Sequence, residues 1–147
     1  MKRLTIYSDG ASKGNPGDAG VGVVISNADG VIVREIAEYI GKTTNNVAEY
    51  TALIHGLVAA HDLGATHVDI CADSELLVRQ LTGVYKVKSP NLQPLFEQLV
   101  ALLRSFEKAT ITHVVREYNK RADELANKAV KKHRQDARNS SIASDGK

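Results

Sequence analysis

With 147 residues and a hydrophobic fraction of 43%, the chain is long enough for one domain with its own core, and its apolar runs are too short to cross a bilayer. The N-terminal stretch MKRLTIYSDG lacks the apolar segment of a signal peptide, and the single cysteine, Cys71, excludes an internal disulfide, so we expect a cytoplasmic protein without a membrane partner. The formal net charge of +2 is too small to predict a nucleic-acid partner from the totals alone.

The first third of the chain shows the apolar–polar alternation that is typical of half-buried strands. It predicts strands over residues 3–8, 21–26 and 31–40. The segment 9–20 contains most of the glycines of this region and is predicted to be a loop, and residues 27–30 are predicted to form a turn. Because these connections are short, we expect an antiparallel meander.

The remaining two thirds alternate between helical spacing and short apolar runs. The predicted elements are a helix over 47–63 with capping oxygens at 43–45, a strand over 67–72, a helix ending at 81, a loop over 83–90, a helix around 95–106, a strand over 110–115 and a helix over 119–133. The connections before the fourth and fifth strands are long enough for parallel crossovers. The predicted fold is therefore α/β: a mixed five-stranded sheet, with three antiparallel strands and then two parallel ones, and helices packed on it.

The end of the chain differs in composition from the rest. From Lys128 onward, six lysines and arginines stand against two aspartates, which leaves the preceding residues slightly acidic. The last stretch, QDARNSSIASDGK, has no hydrophobic periodicity. We predict a folded domain over residues 1–133 and a disordered basic tail over 134–147, and we expect the tail to be solvated.

Four acids lie where the predicted fold would bring them together. Asp9 and Asp73 each follow an apolar strand directly, Glu49 lies early in the first helix, and Asp123 lies in the opening turns of the last. Each of them alone is more often a turn, cap or helix-dipole residue. Together they would repel unless hard cations compensate them, and carboxylate oxygens are ligands that Mg²⁺ prefers. Two such ions roughly 4 Å apart can activate a water and stabilise the leaving oxygen of a phosphodiester.

The segments around these acids resemble the motifs of the type 1 ribonuclease H family. They are YSDGASKGNPGDAGVGVVI around Asp9, TTNNVAEYTAL around Glu49, ICADSELLVRQL around Asp73 and NKRADELANKAV around Asp123, and they cover residues 2–130 in the family's order. The resemblance implies a ribonuclease H-like fold and endonucleolytic cleavage of the RNA strand of an RNA–DNA hybrid, leaving 3′-hydroxyl and 5′-phosphate ends. It also implies that the four acids bind Mg²⁺, with Mn²⁺ as a possible substitute and two ions present with substrate.

The resemblance further implies a set of polar residues that contact the hybrid. They are Ser12, Asn15, Asn45 and Asn46 for the minor groove, and Thr44 and Lys42 for a phosphate of the DNA strand. Hydroxyls and amides can contact the 2′-hydroxyl that separates RNA from DNA, and a helix N-terminus suits a phosphate. Turn and helix-cap chemistry accounts for Thr44 and Asn45 about equally well.

The chain departs from the best-known bacterial members of this family in two places. Their histidine in a glycine-rich loop before the final aspartate is missing from VVREYNKRAD, and His113 falls within the predicted last strand. Arg116 is the candidate to stabilise charge near the scissile phosphate, a plain surface or phosphate contact being the alternative. Their basic protrusion is replaced by TGVYKVKSP, in which Lys86 and Lys88 are predicted to contact phosphates. We therefore expect weaker and more salt-sensitive hybrid binding. Partial compensation by the basic residues from Lys128 onward is the less favoured alternative to a solvated tail.

The leading hypothesis is a monomeric, hybrid-specific ribonuclease. Three alternatives stay open at this stage: a catalytically silent hybrid-binding module, a DNA-cutting relative of transposases and resolvases, and a structural domain without a metal. The complete acid set argues against a pure binding module, which gains nothing from four repelling carboxylates. The TTNN and GNPG segments favour hybrid recognition over DNA cutting.

Overall fold

A computed structural model describes residues 1–145, and within them the strands and helices follow the predicted order. The strands are β1 (Arg3–Gly14), β2 (Gly17–Asn27), β3 (Ile32–Thr43), β4 (His67–Ala72) and β5 (Lys108–His113). The helices are α1 (Asn45–Asp62), α2 (Glu75–Leu81), α3 (Gln93–Arg104) and α4 (Lys120–Asp145), and a single 3₁₀ turn spans Arg116–Tyr118. None of these helices, within the described range, has both the length and the apolar character needed to cross a membrane.

The five strands form one mixed sheet in the order β3-β2-β1-β4-β5. The pairs β1–β2 and β2–β3 are antiparallel, and the pairs β1–β4 and β4–β5 are parallel, as predicted. The parallel register pairs Ser8 of β1 with Ala72 of β4. The next residues on these neighbouring strands are Asp9 and Asp73, so the sheet itself brings these two acids side by side.

The glycine-rich segment 9–20, which we predicted to be a loop, is mostly strand, and that prediction was wrong. β1 continues to Gly14 and β2 begins at Gly17, which leaves only Asn15 and Pro16 to turn the chain. Asp9 therefore lies within β1 rather than after its end. It is level with the end of the shorter β4, which is where the parallel part of the sheet stops.

The physical reason is that these glycines serve helix packing rather than turning. A Cβ added to Gly10 would lie 2.2 Å from the backbone carbonyl carbon of Ala48 in α1. A Cβ added to Gly22 would lie 1.9 Å from the carbonyl oxygen of Ala122 in α4. A side chain at either position would therefore hold a helix away from the sheet.

The helices α1 and α4 cover opposite faces of the sheet. Successive strand residues point to opposite faces. Gly22 meets α4, whereas the side chain of its neighbour Val23 lies against Gly56 of α1. The main core lies on the α1 side, and its largest fully buried members include Leu4, Ile6, Ile25, Leu53, Leu57, Ile70 and Leu99. The α4 side is a smaller apolar layer that includes Ala122, Leu125, Ala126 and Val130.

Helix α4 continues past residue 133, where we predicted its end, to Asp145. The end of the helix was therefore predicted wrongly, and the stretch 134–145 is helical rather than disordered. Residues 146–147 of the predicted tail lie outside the described residues. Residues 134–140 of this extension are all exposed, so they contribute no buried apolar face that periodicity could detect. The extension grows from a helix that is already anchored, since His133 stacks on Tyr39 with ring centroids 3.5 Å apart. The division of the chain into a domain and a tail stays a prediction.

Candidate active site

Three of the four predicted acids meet at the edge of the sheet where β4 ends. Asp9 comes from β1, Asp73 follows β4, and Glu49 comes from the first turns of α1, which the close approach at Gly10 holds against β1. Each of the three acids offers a carboxylate oxygen, and these oxygens all lie within 4.8 Å of one another. We call Asp9, Glu49 and Asp73 the acid cluster.

The fourth acid, Asp123, lines the same cavity but stays outside this 4.8 Å group. The cavity has a volume of about 330 Å³, and Asp123 reaches it from the first turn of α4. Nη2 of Arg116 lies 3.6 Å from Oδ1 of Asp123. The Arg116 side chain lines the cavity and is 77% exposed, so it stands at the mouth of the site.

Burial and mutual repulsion dominate the electrostatics of the acid cluster. Asp9 is 5% exposed and Glu49 is 6% exposed. Burial is the main cause that raises the pKa of Asp9 far above its ordinary range, and Glu49, Asp123 and Asp73 raise it further. Burial also raises the pKa of Glu49, and repulsion from Asp73 adds to the rise. Hydrogen bonds from Asp9 and from the Gly10 backbone lower this pKa but do not cancel the rise. Without a compensating cation, the site therefore resists full ionisation.

The residues of the acid cluster fit a hard divalent cation. Oε2 of Glu49 is buried and has no hydrogen-bond partner among the described residues. A buried carboxylate oxygen without a partner is costly unless another group compensates it. All the donors in the cluster are carboxylate oxygens, which suit Mg²⁺, Mn²⁺ or Ca²⁺ better than softer metals.

Asn119 ties the two elements that supply Asp9 and Asp123. It is 2% exposed, and its Nδ2 donates to the carbonyl oxygen of Ser8 at 2.9 Å. The backbone carbonyl oxygen of Asn119 accepts from the backbone N–H of Asp123 at 3.1 Å, in the first turn of α4. Asn119 therefore links the backbone beside Asp9 to the turn that carries Asp123. The sequence analysis missed this role, although an asparagine directly before a helix is a helix-start signal.

Lys13 and Asn127 also line the cavity and were not predicted. Nδ2 of Asn127 donates to the carbonyl oxygen of Asp123 at 2.8 Å and to its Oδ1 at 3.2 Å. Nζ of Lys13 donates to Oδ1 of Asn127. Asn127 could have been found because it lies one helical turn after Asp123. Lys13 could not be predicted, because its segment, which was predicted to be a loop, is part of β1.

Two of the predicted nucleic-acid contacts have structural partners as well. Oδ1 of Asn15 accepts from the backbone N–H of Asn45 at 3.1 Å, which joins the β1–β2 turn to the start of α1. Thr44 is the N-cap of α1, and its Oγ1 accepts from the N–H of Val47 at 3.3 Å. The capping alternative is therefore observed for Thr44. Capping does not prevent either residue from contacting a ligand.

The other predicted nucleic-acid residues, together with Asn45, form three pairs that differ in their position relative to the cavity. Ser12 and Asn45 line the cavity, and Oγ of Ser12 donates to the carbonyl oxygen of Thr43 at 2.9 Å. Asn46 and Lys42 are exposed on the two sides of the α1 N-terminus. The exposed side chains of Lys86 and Lys88 lie in the loop between α2 and α3 and do not line the cavity. The structure thus brings together the first pair but not the last.

Comparisons with known proteins agree with this arrangement. A family model described as "Reverse transcriptase-like" matches residues 7–129. "Ribonuclease HI" of Halobacterium salinarum is 47% identical over 128 residues, which cover 87% of this chain and 64% of the archaeal protein. "Ribonuclease H" of Chlorobium limicola is 36% identical over an aligned length of 145 residues, and the alignment covers 88% of this chain and 97% of that protein. The chain thus spans less than two thirds of the archaeal relative, and it spans 35% of three mycobacterial relatives.

Solved structures match over nearly the whole described fold. The crystal structure of RNase H1 from Halobacterium salinarum matches with a TM-score of 0.87 at 46% identity, over 88% of this chain and 98% of that chain. LC11-RNase H1 in complex with an RNA/DNA hybrid matches with a TM-score of 0.84 at 44% identity, over 88% of this chain and 98% of that chain. The predicted mixed sheet with helices packed on it is therefore confirmed.

Proposed function

Because this chain belongs to the ribonuclease H family, as its four motifs predicted, we propose that it hydrolyses the RNA strand of RNA–DNA hybrids with the help of divalent cations. The observation that carries the proposal is the acid cluster, whose three carboxylates lie within 4.8 Å of one another and include a buried oxygen without a partner. The solved complex of LC11-RNase H1 with an RNA/DNA hybrid supports the choice of substrate.

The acid cluster would hold the cations, and Asp123 would complete the site from α4. When bound, a pair of such ions, Mg²⁺ or Mn²⁺, supplies activation of a water and stabilisation of the leaving oxygen of a phosphodiester. The protein's own contribution is to hold its carboxylates at fixed positions on β1, β4 and α1, so that little reorganisation is needed when substrate arrives. The proposed products carry 3′-hydroxyl and 5′-phosphate ends.

The residues around the acids would bind and orient the hybrid. Ser12 and Asn45 at the cavity wall offer a hydroxyl and an amide for the 2′-hydroxyl of the RNA strand. The Lys13 ammonium group, held beside Asn127, lies where it can neutralise a backbone phosphate. Asn15, Asn46, Thr44 and Lys42 surround the start of α1 and would contact the minor groove and a DNA phosphate, and Lys86 and Lys88 would contact phosphates farther out.

Arg116 is proposed to stabilise charge near the scissile phosphate. Its guanidinium is exposed at the mouth of the cavity and lies 3.6 Å from Asp123, so it can contact a phosphate without leaving the site. We expect Arg116→Ala to lower kcat about 10- to 100-fold, and Arg116→Lys to restore part of the loss because a positive charge returns. An unchanged kcat in the alanine variant would leave Arg116 as a surface residue.

The experiment that tests the proposed function is cleavage of a labelled RNA–DNA hybrid, with matched DNA and RNA duplexes as controls, in Mg²⁺ and in EDTA. We expect cutting of the RNA strand of the hybrid alone, and only with the metal. Asp73→Asn keeps the shape of the side chain and removes a ligand charge, so it should lower the rate by more than about 100-fold. Intact hybrid binding without cutting in either Mg²⁺ or Mn²⁺ would favour the silent binding module, and cutting of the DNA duplex would favour the transposase-like alternative.

The monomeric state and the cytoplasmic location stay predictions.

A further inference from the structure

A row of basic residues continues along α4 from the side of the helix that carries Asp123. Positions 123, 127, 131, 134 and 138 are separated by three or four residues, so they lie on one side of the helix. The contacts agree with this spacing. Asn127 bonds to Lys13, and Nε of Arg134 donates to Oδ2 of Asp18 at 2.9 Å, so this side of α4 lies along the β1–β2 hairpin. We call Lys131, Arg134 and Arg138 the basic stripe.

The basic stripe contains no acid. Of the acids of α4 beyond Asp123 whose side chains the structure describes, Asp136 lies on another side of the helix. Glu124 lies about two turns before Lys131, and its Oε2 pairs with Nη1 of Arg121 at 3.1 Å. Lys131 and Arg138 are exposed and form no ion pair with any residue whose side chain is described. Arg134 differs, because its pairing with Asp18 fixes the helix to the hairpin. Two exposed positive charges, without an ion-pair partner among the described side chains, thus stand on an anchored helix.

The stripe has the length of a short stretch of nucleic-acid strand. At 1.5 Å per residue, Lys131 lies about 12 Å and Arg138 about 22 Å from Asp123 along the helix axis. At about 3.4 Å per nucleotide, the farther distance corresponds to about six nucleotides. Lys13, at the wall of the cavity, stands between the acids and the stripe. The positive charges therefore form a line that starts beside Asp123, at the cavity, and leads away from it along α4.

We propose that the basic stripe binds the sugar–phosphate backbone of the hybrid several nucleotides from the bond that is cut, and so lengthens the substrate footprint along α4. The inference rests on the proposed function, since the polyanion it names is the same hybrid. Regularly spaced phosphates suit regularly spaced lysine and arginine side chains. The sequence supported hybrid binding by the basic residues from Lys128 onward only as the less favoured alternative, because a disordered tail beyond residue 133 would have no fixed relation to Asp123.

The test compares two double charge reversals on adjacent sides of one helix. The stripe variant is Lys131→Glu with Arg138→Glu, and the matched control is Lys128→Glu with Lys132→Glu, which changes the net charge by the same amount. Arg134 is left in place so that the anchor to Asp18 is retained. Hybrid binding is measured from about 50 to 200 mM salt in the Asp73→Asn background, with a hybrid of about 20 base pairs and one of about six. Circular dichroism and thermal unfolding check that both variants are folded.

We expect the stripe variant to bind the long hybrid about 10- to 100-fold more weakly than the parent at 100 mM salt, with the slope of log Kd against log salt reduced by about two. The control should lose several-fold less, and the difference between the two variants should shrink on the short hybrid. Equal losses in both variants, or no loss in either, would overturn the stripe as a binding surface. Cleavage by the parent chain is measured separately, so a failure of the proposed function is distinguished from a failure of the stripe.

Discussion

At the scale of single residues, Asp9 is where folding and function make opposite demands. Burial and three neighbouring acids raise its pKa, whereas a metal ligand must be ionised. An acid whose pKa is higher in the folded than in the unfolded chain adds stability that is complete below the unfolded pKa and is lost as the pH rises toward the folded pKa. The metal-free protein should therefore lose stability, through Asp9, as the pH rises from about 4 into the alkaline range.

The first prediction follows from this sign. In EDTA, Asp9→Asn should be more stable than the parent by about 1 to 3 kcal/mol at about pH 8, and the advantage should disappear near pH 4. Urea unfolding at several pH values measures the difference. Asp69→Asn is the control with the opposite sign, because hydrogen bonds from Arg3 and Thr110 lower the pKa of Asp69. A higher free energy of unfolding for the parent than for Asp9→Asn at alkaline pH without metal would contradict the prediction.

Asn119 carries the second prediction, as a positioning residue rather than a catalytic one. Asn119→Ala removes the bond from Nδ2 to the Ser8 carbonyl, which ties the backbone beside Asp9 to the start of α4. We expect kcat to fall about 10- to 100-fold and the Mg²⁺ concentration for half-maximal cleavage to rise, while hybrid affinity changes little.

Ser8→Ala is the matched control for Asn119, because it removes a buried hydroxyl and leaves the accepting carbonyl in place. Stability is measured for both variants, since Asn119→Ala should also cost about 1 to 2 kcal/mol. A variant that loses stability but keeps the parent's metal dependence would show that Asn119 is only structural.

At the scale of elements, the distance between α4 and the sheet depends on residues without side chains. Gly22 lies under the backbone of α4, and a Cβ there would meet both the Ala122 carbonyl oxygen and the Ala126 nitrogen. The neighbouring glycine of β2, Gly20, lies under Ala126 in the same way. Because backbone atoms cannot move aside as a flexible side chain can, an added methyl group must lift the helix or bend the strand.

The third prediction is that Gly22→Ala destabilises the protein by about 3 kcal/mol or more and weakens the site, because lifting α4 displaces Asp123. Chemical denaturation and the rate of hybrid cleavage measure the two effects. Gly30→Ala is the control: it has a positive φ of 80° but nothing within 4 Å of the added Cβ, so it should cost only backbone strain of about 1 kcal/mol. A Gly22→Ala variant as stable as the control would refute close packing as the reason for this glycine.

At the scale of the whole molecule, charge is separated between the acid cavity and the basic surfaces around it. The formal net charge is only +2, so attraction to a hybrid must come from local surfaces rather than from an overall field. Those surfaces are small. The exposed side chains of Lys86 and Lys88 lie in the loop between α2 and α3, and the basic stripe lies in α4.

The fourth prediction is that hybrid binding is strongly salt-dependent. With four or more phosphate contacts, Kd should rise at least about 100-fold between 50 and 200 mM salt. Fluorescence anisotropy with a labelled hybrid measures this, and Mg²⁺ is held constant so that only the monovalent salt changes. A Kd that is insensitive to salt over this range would mean that non-ionic contacts dominate binding.

Sequence patterns were sufficient to predict the order of the elements and the mixed sheet, and to single out the four candidate acids. Hydrophobic periodicity is a record of burial along each element, so it predicted β4 at its observed bounds and α1 with its Thr44 cap. The four acids could be singled out because each lies within a sequence motif, and a motif can be recognised without knowledge of the fold. These features depend on residues that are close in sequence.

The way in which those elements pack against one another could not be predicted from sequence patterns. The tertiary structure turned the glycine-rich loop into two strands, extended α4 to Asp145, and left Asp123 outside the 4.8 Å acid cluster. It also showed Asn119 bonded to Ser8, a contact between residues far apart in the chain. The physical reason is the same in each case: close approach of backbones and bonds between distant residues depend on the packing of whole elements, and local periodicity contains no information about that packing.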